Sequence, residues 1–226
     1  ILGGGHVGQT LVALLGGRFD ISTTIWSRRW RHARVIHRRA FGREGTYGIG
    51  QARIQPSLRQ AVDRADIIVI AVPGYGRAAL LKRIAGRIDT CALLVAWEGL
   101  GAFPETLRDL GIVGPTIVGL QRSPICCRAL PGDAVEILGV RTRVVAATVD
   151  SGDSSRAARL MKAIFPFKFA LAPDYRCVSL SPGNPMIHPA RLYSCGLAGA
   201  DSIRPGVRFY QNWNDSASRV LIDLHR

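Results

Sequence analysis

Apolar and polar positions along this chain alternate in blocks that predict strands and helices in turn. Residues 67–72 form an unbroken apolar run, and residues 92–96 form a second one. Such runs are typical of parallel strands that are buried on both faces. Residues 7–15 instead carry apolar side chains at helical spacing. The first 120 residues therefore predict an α/β fold, a doubly wound parallel sheet of the Rossmann type.

The remaining segments complete this pattern and then depart from it. Before residue 121 the hydrophobic spacing also predicts helices and strands, in chain order a strand at 21–26, helices at 58–65, 78–88 and 103–110, and a strand at 117–120. Beyond it, residues 134–138 and 143–147 are strand-like and close enough to form a hairpin or a pair of edge strands, and 155–164 predicts a helix. From about residue 175 the chain becomes helical and irregular. We therefore expect residues 1–175 to form a dinucleotide-binding domain and residues 176–226 to begin a mainly α-helical second domain.

The two ends and the cysteines bear on the kind of protein. The chain starts inside a predicted strand, and residues 220–224 have the spacing of an unfinished amphipathic helix, so we expect a fragment of a longer protein. It has no basic leader and no run near the ~18 apolar residues of a membrane helix. The five cysteines include no C-x-x-C spacing, which favours thiols in a cytoplasmic protein.

The charge is strongly positive and comes mostly from arginine. The formal net charge is +14, and 27 of the 30 basic residues are arginine. This balance favours anionic partners such as phosphates, carboxylates or nucleic acid. Six arginines cluster between two predicted strands, namely Arg28, Arg29, Arg31, Arg34, Arg38 and Arg39. The cluster matches no nucleic-acid-binding motif, so a basic entrance for an anionic cofactor and substrate explains it better, and nucleic-acid binding remains an alternative.

The most specific local feature is a glycine-rich turn at the start of the chain. Residues 3–8 read G-G-G-H-V-G and match the G-x-G-x-x-G fingerprint, between a strand remnant and a helix. In this fingerprint the glycines allow a tight turn, close approach of a pyrophosphate, and close packing of helix and strand. The free amides of the helix N-terminus then face the phosphates. The predicted cofactor-binding residues of this turn are Gly3, Gly5, His6, Val7 and Gly8.

The end of the second predicted strand bears on the choice between NAD and NADP. NAD enzymes usually carry an acidic residue there, which binds the ribose 2′-hydroxyl. This chain instead has Ser27, Arg28 and Arg29, and guanidinium groups suit the 2′-phosphate of NADP. The sequence therefore predicts NADP, with NAD as the other possibility. Val72 and Pro73 follow the long buried strand, at the edge where such folds bind their cofactors.

A histidine between two prolines is the second candidate for chemistry. His188 lies in the segment Asn184-Pro185-Met186-Ile187-His188-Pro189. Histidine titrates near neutral pH and can transfer a proton during hydride transfer, although its spacing alone favours a structural histidine over a catalytic one. The other histidines lack neighbouring ligands at metal-binding spacing, so no metal site is predicted.

Taken together, these segments resemble the octopine/nopaline (opine) dehydrogenase family. The resemblance rests on five segments in the family's order: residues 3–8, residues 71–75, Gln121-Arg122-Ser123-Pro124 and the residues up to 128, residues 183–189, and Arg208-Phe209-Tyr210. They cover most of the chain, and Asn-Pro-x-x-His-Pro is the most specific of them. The family condenses an amino acid with a 2-oxo acid, using NAD(P)H as the hydride donor, to give an opine.

The resemblance also implies roles for particular residues. It makes His188 the catalytic histidine, and Asn184 is a candidate substrate-binding residue. Arg122, in the matching Gln-Arg-x-x-Pro segment, is a candidate to bind a substrate carboxylate, although a structural salt bridge explains it at least as well. The family's aspartate that orients the histidine lies well downstream, and Asp223 looks too close to fill that role. The family layout is compatible with a homodimer and does not indicate a membrane partner.

An alternative hypothesis has the same fold and a different substrate. Two-domain NADP enzymes that act on 2-keto or 3-hydroxy acids, such as those that reduce ketopantoate or glycerol-3-phosphate precursors, share this layout. They usually rely on a lysine after the domain boundary, whereas the last lysine of this sequence is Lys168, before the histidine segment. The histidine segment therefore favours the opine reading.

Overall fold

A computed structural model describes residues 1–28, 30, 34–88, 91–99, 101–180, 184–197 and 213–225. The chain divides by its contacts into two compact units, Ile1–Ser181 and Pro182–Arg226. This division lies six residues beyond the boundary expected from the sequence. The assignment of one unit to cofactor binding and the other to substrate binding stays a prediction.

The secondary structure of the first unit alternates as the hydrophobic pattern predicts. Its strands in the described residues are β1 (Thr24–Ile25), β2 (Val35–Gly42), β3 (Gly45–Ile54), β4 (Ile67–Ile70), β5 (Leu93–Ala96), β6 (Thr116–Leu120), β7 (Ile125–Ala129), β8 (Ala134–Val140), β9 (Val144–Thr148) and β10 (Phe169–Leu171). Its α-helices are α1 (His6–Leu15), α2 (Leu58–Val62), α3 (Gly74–Lys82), α4 (Phe103–Asp109), α5 (Ser154–Ile164) and α6 (Arg176–Leu180).

The strands form two five-stranded sheets, in the orders β1-β3-β2-β8-β7 and β10-β9-β6-β5-β4. Leu2 connects them, since it bridges in parallel to Trp26 on one side and to Ile70 on the other. Its amide donates to the carbonyl of Val69 at 2.8 Å. The first residues of the chain therefore lie at the centre of the sheet, between β1 and β4, which is where a Rossmann fold places its first strand.

Helices cover both faces of the parallel strands, which confirms the doubly wound class. Alternate residues of β4 and β5, such as Ile70 and Leu94, pack on one face against α2, α3, α4 and α6. Their neighbours, such as Val69 and Leu93, pack on the other face against α1 and α5. Because both faces are covered, every position of these strands favours an apolar residue, and this produces the unbroken apolar runs.

The strands predicted within residues 134–147 are present as β8 and β9, but the pairing predicted between them is wrong. β8 and β9 do not pair with each other: β8 lies between β2 and β7, whereas β9 lies between β6 and β10. The short polar link between them looks like a hairpin turn, but its first amide, that of Arg141, donates to the carbonyl of Pro124. Long-range partners, rather than proximity along the chain, decide this pairing.

The basic stretch after Arg28 contains structure that the hydrophobic pattern did not predict. β2 and β3 form an antiparallel hairpin, with Gly42 paired with Gly45 at its turn. Gly45 has a φ of 106°, a conformation that favours glycine. β2 also pairs in parallel with β8, so the sheet that contains β2 is mixed rather than purely parallel.

The second unit is helical in its described part. It contains α7 (Asn184–Leu197) and α8 (Asp215–His225), which pack against each other. Within the described segments of both units, no helix has the length and apolar content needed to cross a bilayer.

Candidate cofactor and substrate site

The glycine turn at residues 3–8 has the close contacts that its fingerprint predicts. Gly3 has a φ of 128°, and a Cβ there would lie 2.4 Å from the carbonyl oxygen of Ala71. A Cβ on Gly8 would lie 1.8 Å from the carbonyl oxygen of Gly3. No side chain fits at either position without backbone movement. These two glycines therefore allow the turn and the close packing of α1 on the sheet.

Gly5 differs from Gly3 and Gly8 because a side chain added there would extend into empty space. A Cβ added there would have no atom within 4 Å, and its φ of −76° suits any residue. Gly5 is also the N-cap of α1, and it offers no side chain to bind the first-turn amides. Amides left in this way, together with the helix dipole, favour an anion. The space beside Gly5 therefore fits a pyrophosphate group.

The turn lines a cavity of about 250 Å³ at the carboxyl edge of the sheet. Most predicted cofactor residues that the structure describes meet there, contributed by three separate segments. The lining residues are Gly3, Gly4, Gly5, Trp26, Ser27, Arg28, Ala71, Val72, Pro73 and Tyr75. The fold thus brings together the ends of three strands, namely the strand remnant at the start of the chain, β1 and β4. Their order in the sequence predicted this arrangement.

His6, Val7 and Gly8 belong to α1 and do not line this cavity. The Nδ1 atom of His6 accepts a hydrogen bond from the amide of Ala129 at 2.9 Å. Val7 packs against the core on the α1 face. Any role of these two residues toward a cofactor is therefore carried by their backbone amides.

The cavity wall beyond β1 has the polarity expected for a phosphate. Ser27 is 8% exposed, and a Cβ on Gly4 would approach its Oγ to 2.6 Å. Arg28 is exposed at the same wall, and none of the residues that line the cavity is acidic. Arg29 lies outside the described residues.

A brace behind the glycine turn is a feature that sequence reasoning missed. Arg38 on β2 donates to Gln9 at 2.6 Å and to Asp133 at 3.0 Å. Its guanidinium also lies 5.7 Å from the centre of the Trp30 ring. Gln9 in turn donates to the carbonyl of Gly4 at 3.1 Å. The sequence placed Arg38 in a basic cluster interpreted as an entrance for anions, whereas its side chain is only 11% exposed and braces the turn.

Burial and a nearby carboxylate act on the ionisation of this arginine in opposite directions. Burial lowers the pKa of Arg38, while the charge of Asp133 opposes that change. The only sequence signal for the brace was the nearby pairing of an aromatic residue and an arginine, which is common on protein surfaces. The hairpin that brings them under α1 was not predicted, so the signal could not be used.

Arg122, a predicted substrate residue, follows β6 at the same edge of the sheet. Its Nε is fully enclosed and has no hydrogen-bond partner among the described residues. The next residue, Ser123, accepts a hydrogen bond from the Trp97 indole at 2.9 Å, which anchors the loop to the end of β5. Arg122 is therefore held near the strand ends with part of its donor capacity unused.

The histidine segment lies in the second unit. His188 is an exposed residue of α7, and Pro189 follows it inside the helix. Asn184 begins that helix, but its side chain lies outside the described residues, as do Gly183 and the Arg208-Phe209-Tyr210 segment. No cluster of three metal-binding side chains occurs in the part of the chain that the structure describes.

No family model matches the chain. Among curated proteins, it is 27% identical over 244 residues to protein ocs of Agrobacterium vitis, covering 100% of this chain and 65% of that protein. It is 22% identical to vitopine synthase of Allorhizobium ampelinum, covering 99% and 64%. A glycerol-3-phosphate dehydrogenase of Xylella fastidiosa matches a shorter part, 29% identical over 71% of this chain and 47% of that protein.

A solved structure of octopine dehydrogenase with NADH and pyruvate has the same fold. Its TM-score is 0.74 at 20% identity, and the match covers 96% of this chain and 61% of that chain. The chain is thus similar in sequence to proteins that include vitopine synthase, and in fold to octopine dehydrogenase. It spans less than two thirds of the length of these relatives.

Proposed function

We propose that this chain supplies the cofactor-binding unit, and the first helices of the catalytic unit, of an NADP(H)-dependent opine dehydrogenase. The enzyme would condense an amino acid with a 2-oxo acid and reduce the product to an opine. The observation that carries the proposal is the cavity at the glycine turn. It combines unused helix amides beside Gly5 with a hydroxyl and a guanidinium at the wall, Ser27 and Arg28.

Each segment of the cavity has a separate task in this proposal. The α1 amides at residues 6–8 bind the pyrophosphate. Ser27 and Arg28, together with Arg29, bind the 2′-phosphate, which would be repelled by the carboxylate of an NAD enzyme. Val72 and Pro73 border the ribose and nicotinamide. When bound, the cofactor supplies the hydride.

The remaining chemistry falls to side chains outside the cavity. Arg122 would hold a substrate carboxylate, since a guanidinium fork matches a carboxylate with two hydrogen bonds. Asn184 would also contact the substrate. His188 would give a proton to, or take one from, the reacting carbonyl or amine centre. These roles rest on the family resemblance and on the residue types.

The test is NADPH oxidation by the full-length protein with amino acids paired with pyruvate, 2-oxoglutarate or glyoxylate. We expect turnover only when both substrates are present. His188→Ala should abolish turnover and keep the affinity for NADPH, which is measured separately by fluorescence titration. Turnover with a keto acid alone would instead identify a hydroxy-acid dehydrogenase. Retention on DNA without NADPH binding would favour the nucleic-acid alternative.

The cellular setting remains part of the proposal. The cysteine usage favours a cytoplasmic enzyme, and a homodimer is compatible with the layout. Size-exclusion chromatography with light scattering, applied to the full-length protein, measures the oligomeric state directly.

A further inference from the structure

A second arginine of the first unit, Arg77, is buried without a bonding partner. It lies in the first half of α3, the helix that follows Val72 and Pro73 of the cofactor cavity. Arg77 is 6% exposed, and its Nε is fully enclosed with no hydrogen-bond partner. Among the described residues, no carboxylate lies within the 4.0 Å of an ion pair with it.

Such a group is costly for a folded protein. A buried charge normally has a close partner, because the guanidinium gives up hydration when it is enclosed. The acidic group that acts on Arg77 most strongly, Glu98 at the end of β5, is exposed and too distant to form an ion pair. Burial accordingly lowers the pKa of Arg77, and the charge of Glu98 only partly opposes this.

The surroundings hold the site in place. The Tyr175 hydroxyl donates to the carbonyl of Gly99 at 2.8 Å, and its ring stacks on Phe103. Burial raises the pKa of Tyr175, so this phenol stays neutral and does not compensate the arginine charge. Tyr175 thus joins the residues that follow β5 to the start of α4, in the surroundings of Arg77.

We propose that Arg77 binds the carboxylate of the 2-oxo acid substrate. This inference rests on the proposed function. Ligands of open α/β sheets bind at the carboxyl ends of the strands, and Arg77 follows β4 at that edge. An anion there would supply the missing partner through a charge-assisted pair. Of the two substrates, the 2-oxo acid carries no ammonium group beside its carboxylate, so its charge matches that of a buried guanidinium best, and we assign it to Arg77.

The proposal also accounts for the number of unsatisfied guanidiniums at this edge. An opine carries two carboxylates, one from each substrate. Arg77 and Arg122 follow β4 and β6, the two neighbours of β5, and in each the Nε is enclosed without a partner. One arginine is thereby available for each carboxylate, with Arg77 assigned to the half derived from the 2-oxo acid.

The experiment compares Arg77→Met with Arg108→Met, which removes the same charge from an exposed position on α4. Thermal unfolding is followed with and without NADPH, in the presence of pyruvate, L-alanine or inorganic phosphate. We expect pyruvate to raise the Tm of the wild type and of the Arg108 variant. In Arg77→Met the apparent Kd for pyruvate should rise about tenfold or more, because both charge-assisted hydrogen bonds are lost.

The stability of the ligand-free variant separates a binding role from a structural one. If Arg77 serves to bind an anion, Arg77→Met should leave the Tm of the ligand-free protein unchanged or raise it. Replacing a buried unpaired charge with an apolar group removes the desolvation free energy of that charge. A large decrease in Tm, or failure to fold, would overturn the proposal by showing that Arg77 stabilises the fold. Arg77→Lys keeps the charge without the fork and should still weaken pyruvate binding.

Other outcomes are equally decisive. An unchanged Kd for pyruvate in Arg77→Met and Arg77→Lys would overturn the proposal, as would a response to phosphate or L-alanine alone that depends on Arg77. If the wild type fails to bind NADPH, the proposed function fails. The pyruvate measurements without NADPH would still decide whether Arg77 binds a carboxylate.

Discussion

Two glycines of the same turn should respond differently to substitution by alanine: Gly8→Ala should lower the stability of the fold, and Gly5→Ala should weaken NADPH binding. Gly8→Ala places a Cβ 1.8 Å from the carbonyl oxygen of Gly3, whereas Gly5→Ala places one in open space. Carbon–oxygen contacts normally lie at about 3.3 Å or more, so the first change requires a displacement of about 1.5 Å between α1 and the sheet. The second change requires none. The pair therefore separates packing from ligand binding within a single motif.

The magnitudes follow from these contacts. Overpacking of this kind costs about 3 kcal/mol, and a domain of this size loses about 2–4 °C in Tm per kcal/mol, so Gly8→Ala should lower Tm by about 6–12 °C. For Gly5→Ala, alanine is the poorer N-cap but reduces the entropy of the unfolded chain. These effects oppose each other, so the change should stay within about 1 kcal/mol.

Cofactor binding, in contrast to stability, should be weakened by the substitution at Gly5. The new methyl group of Gly5→Ala occupies the space assigned to the pyrophosphate, so we expect the Kd for NADPH to rise at least about tenfold, or about 1.4 kcal/mol. The assay combines thermal unfolding with fluorescence titration of NADPH at a temperature where both variants are folded. Wild-type NADPH affinity in Gly5→Ala would refute the placement of the pyrophosphate. Unchanged stability in Gly8→Ala would refute the contact between helix and strand.

Two further predictions test other parts of the first unit. The double change Ser27→Asp/Arg28→Ala should shift the ratio of catalytic efficiencies from NADP toward NAD, because a carboxylate repels the 2′-phosphate and binds the ribose hydroxyl; an unmoved ratio in steady-state kinetics would contradict the assignment. Cys126 is exposed on β7, whereas Cys127 is buried and burial raises its pKa. At pH 8 the Cys127→Ser variant should therefore keep the wild-type number of iodoacetamide-reactive thiols, and Cys126→Ser should lose one; equal counts in the two variants would show that the strand faces are reversed.

The parts of the fold that the sequence predicted share one property. Each depends on interactions within a few residues or on burial of a whole face. The apolar strands β4 and β5 were predicted because burial on both faces requires an apolar residue at every position. The helix after the glycine turn was predicted from the helical spacing of its apolar residues. Gly3 and Gly8 were likewise recognisable because a specific backbone geometry demands them.

The features that were missed depend on partners far away in sequence. β8 and β9 looked like a hairpin because only three residues separate them, yet each finds its hydrogen bonds elsewhere. Arg38 looked like one more surface cation. Its role in bracing the glycine turn appears only when β2 lies under α1 and Asp133 comes within 3.0 Å.

The amino-acid sequence alone determined the class of fold, the glycine motif expected to receive a pyrophosphate, and the lack of an acidic residue at the end of β1. These are local properties of backbone conformation, periodicity and residue chemistry. Only the tertiary structure showed that Gly5 faces open space while Gly8 does not. It alone showed that Arg77 is a buried cation without a close partner. Burial and distance are properties of the assembled chain, because they depend on atoms contributed by segments that the sequence keeps apart.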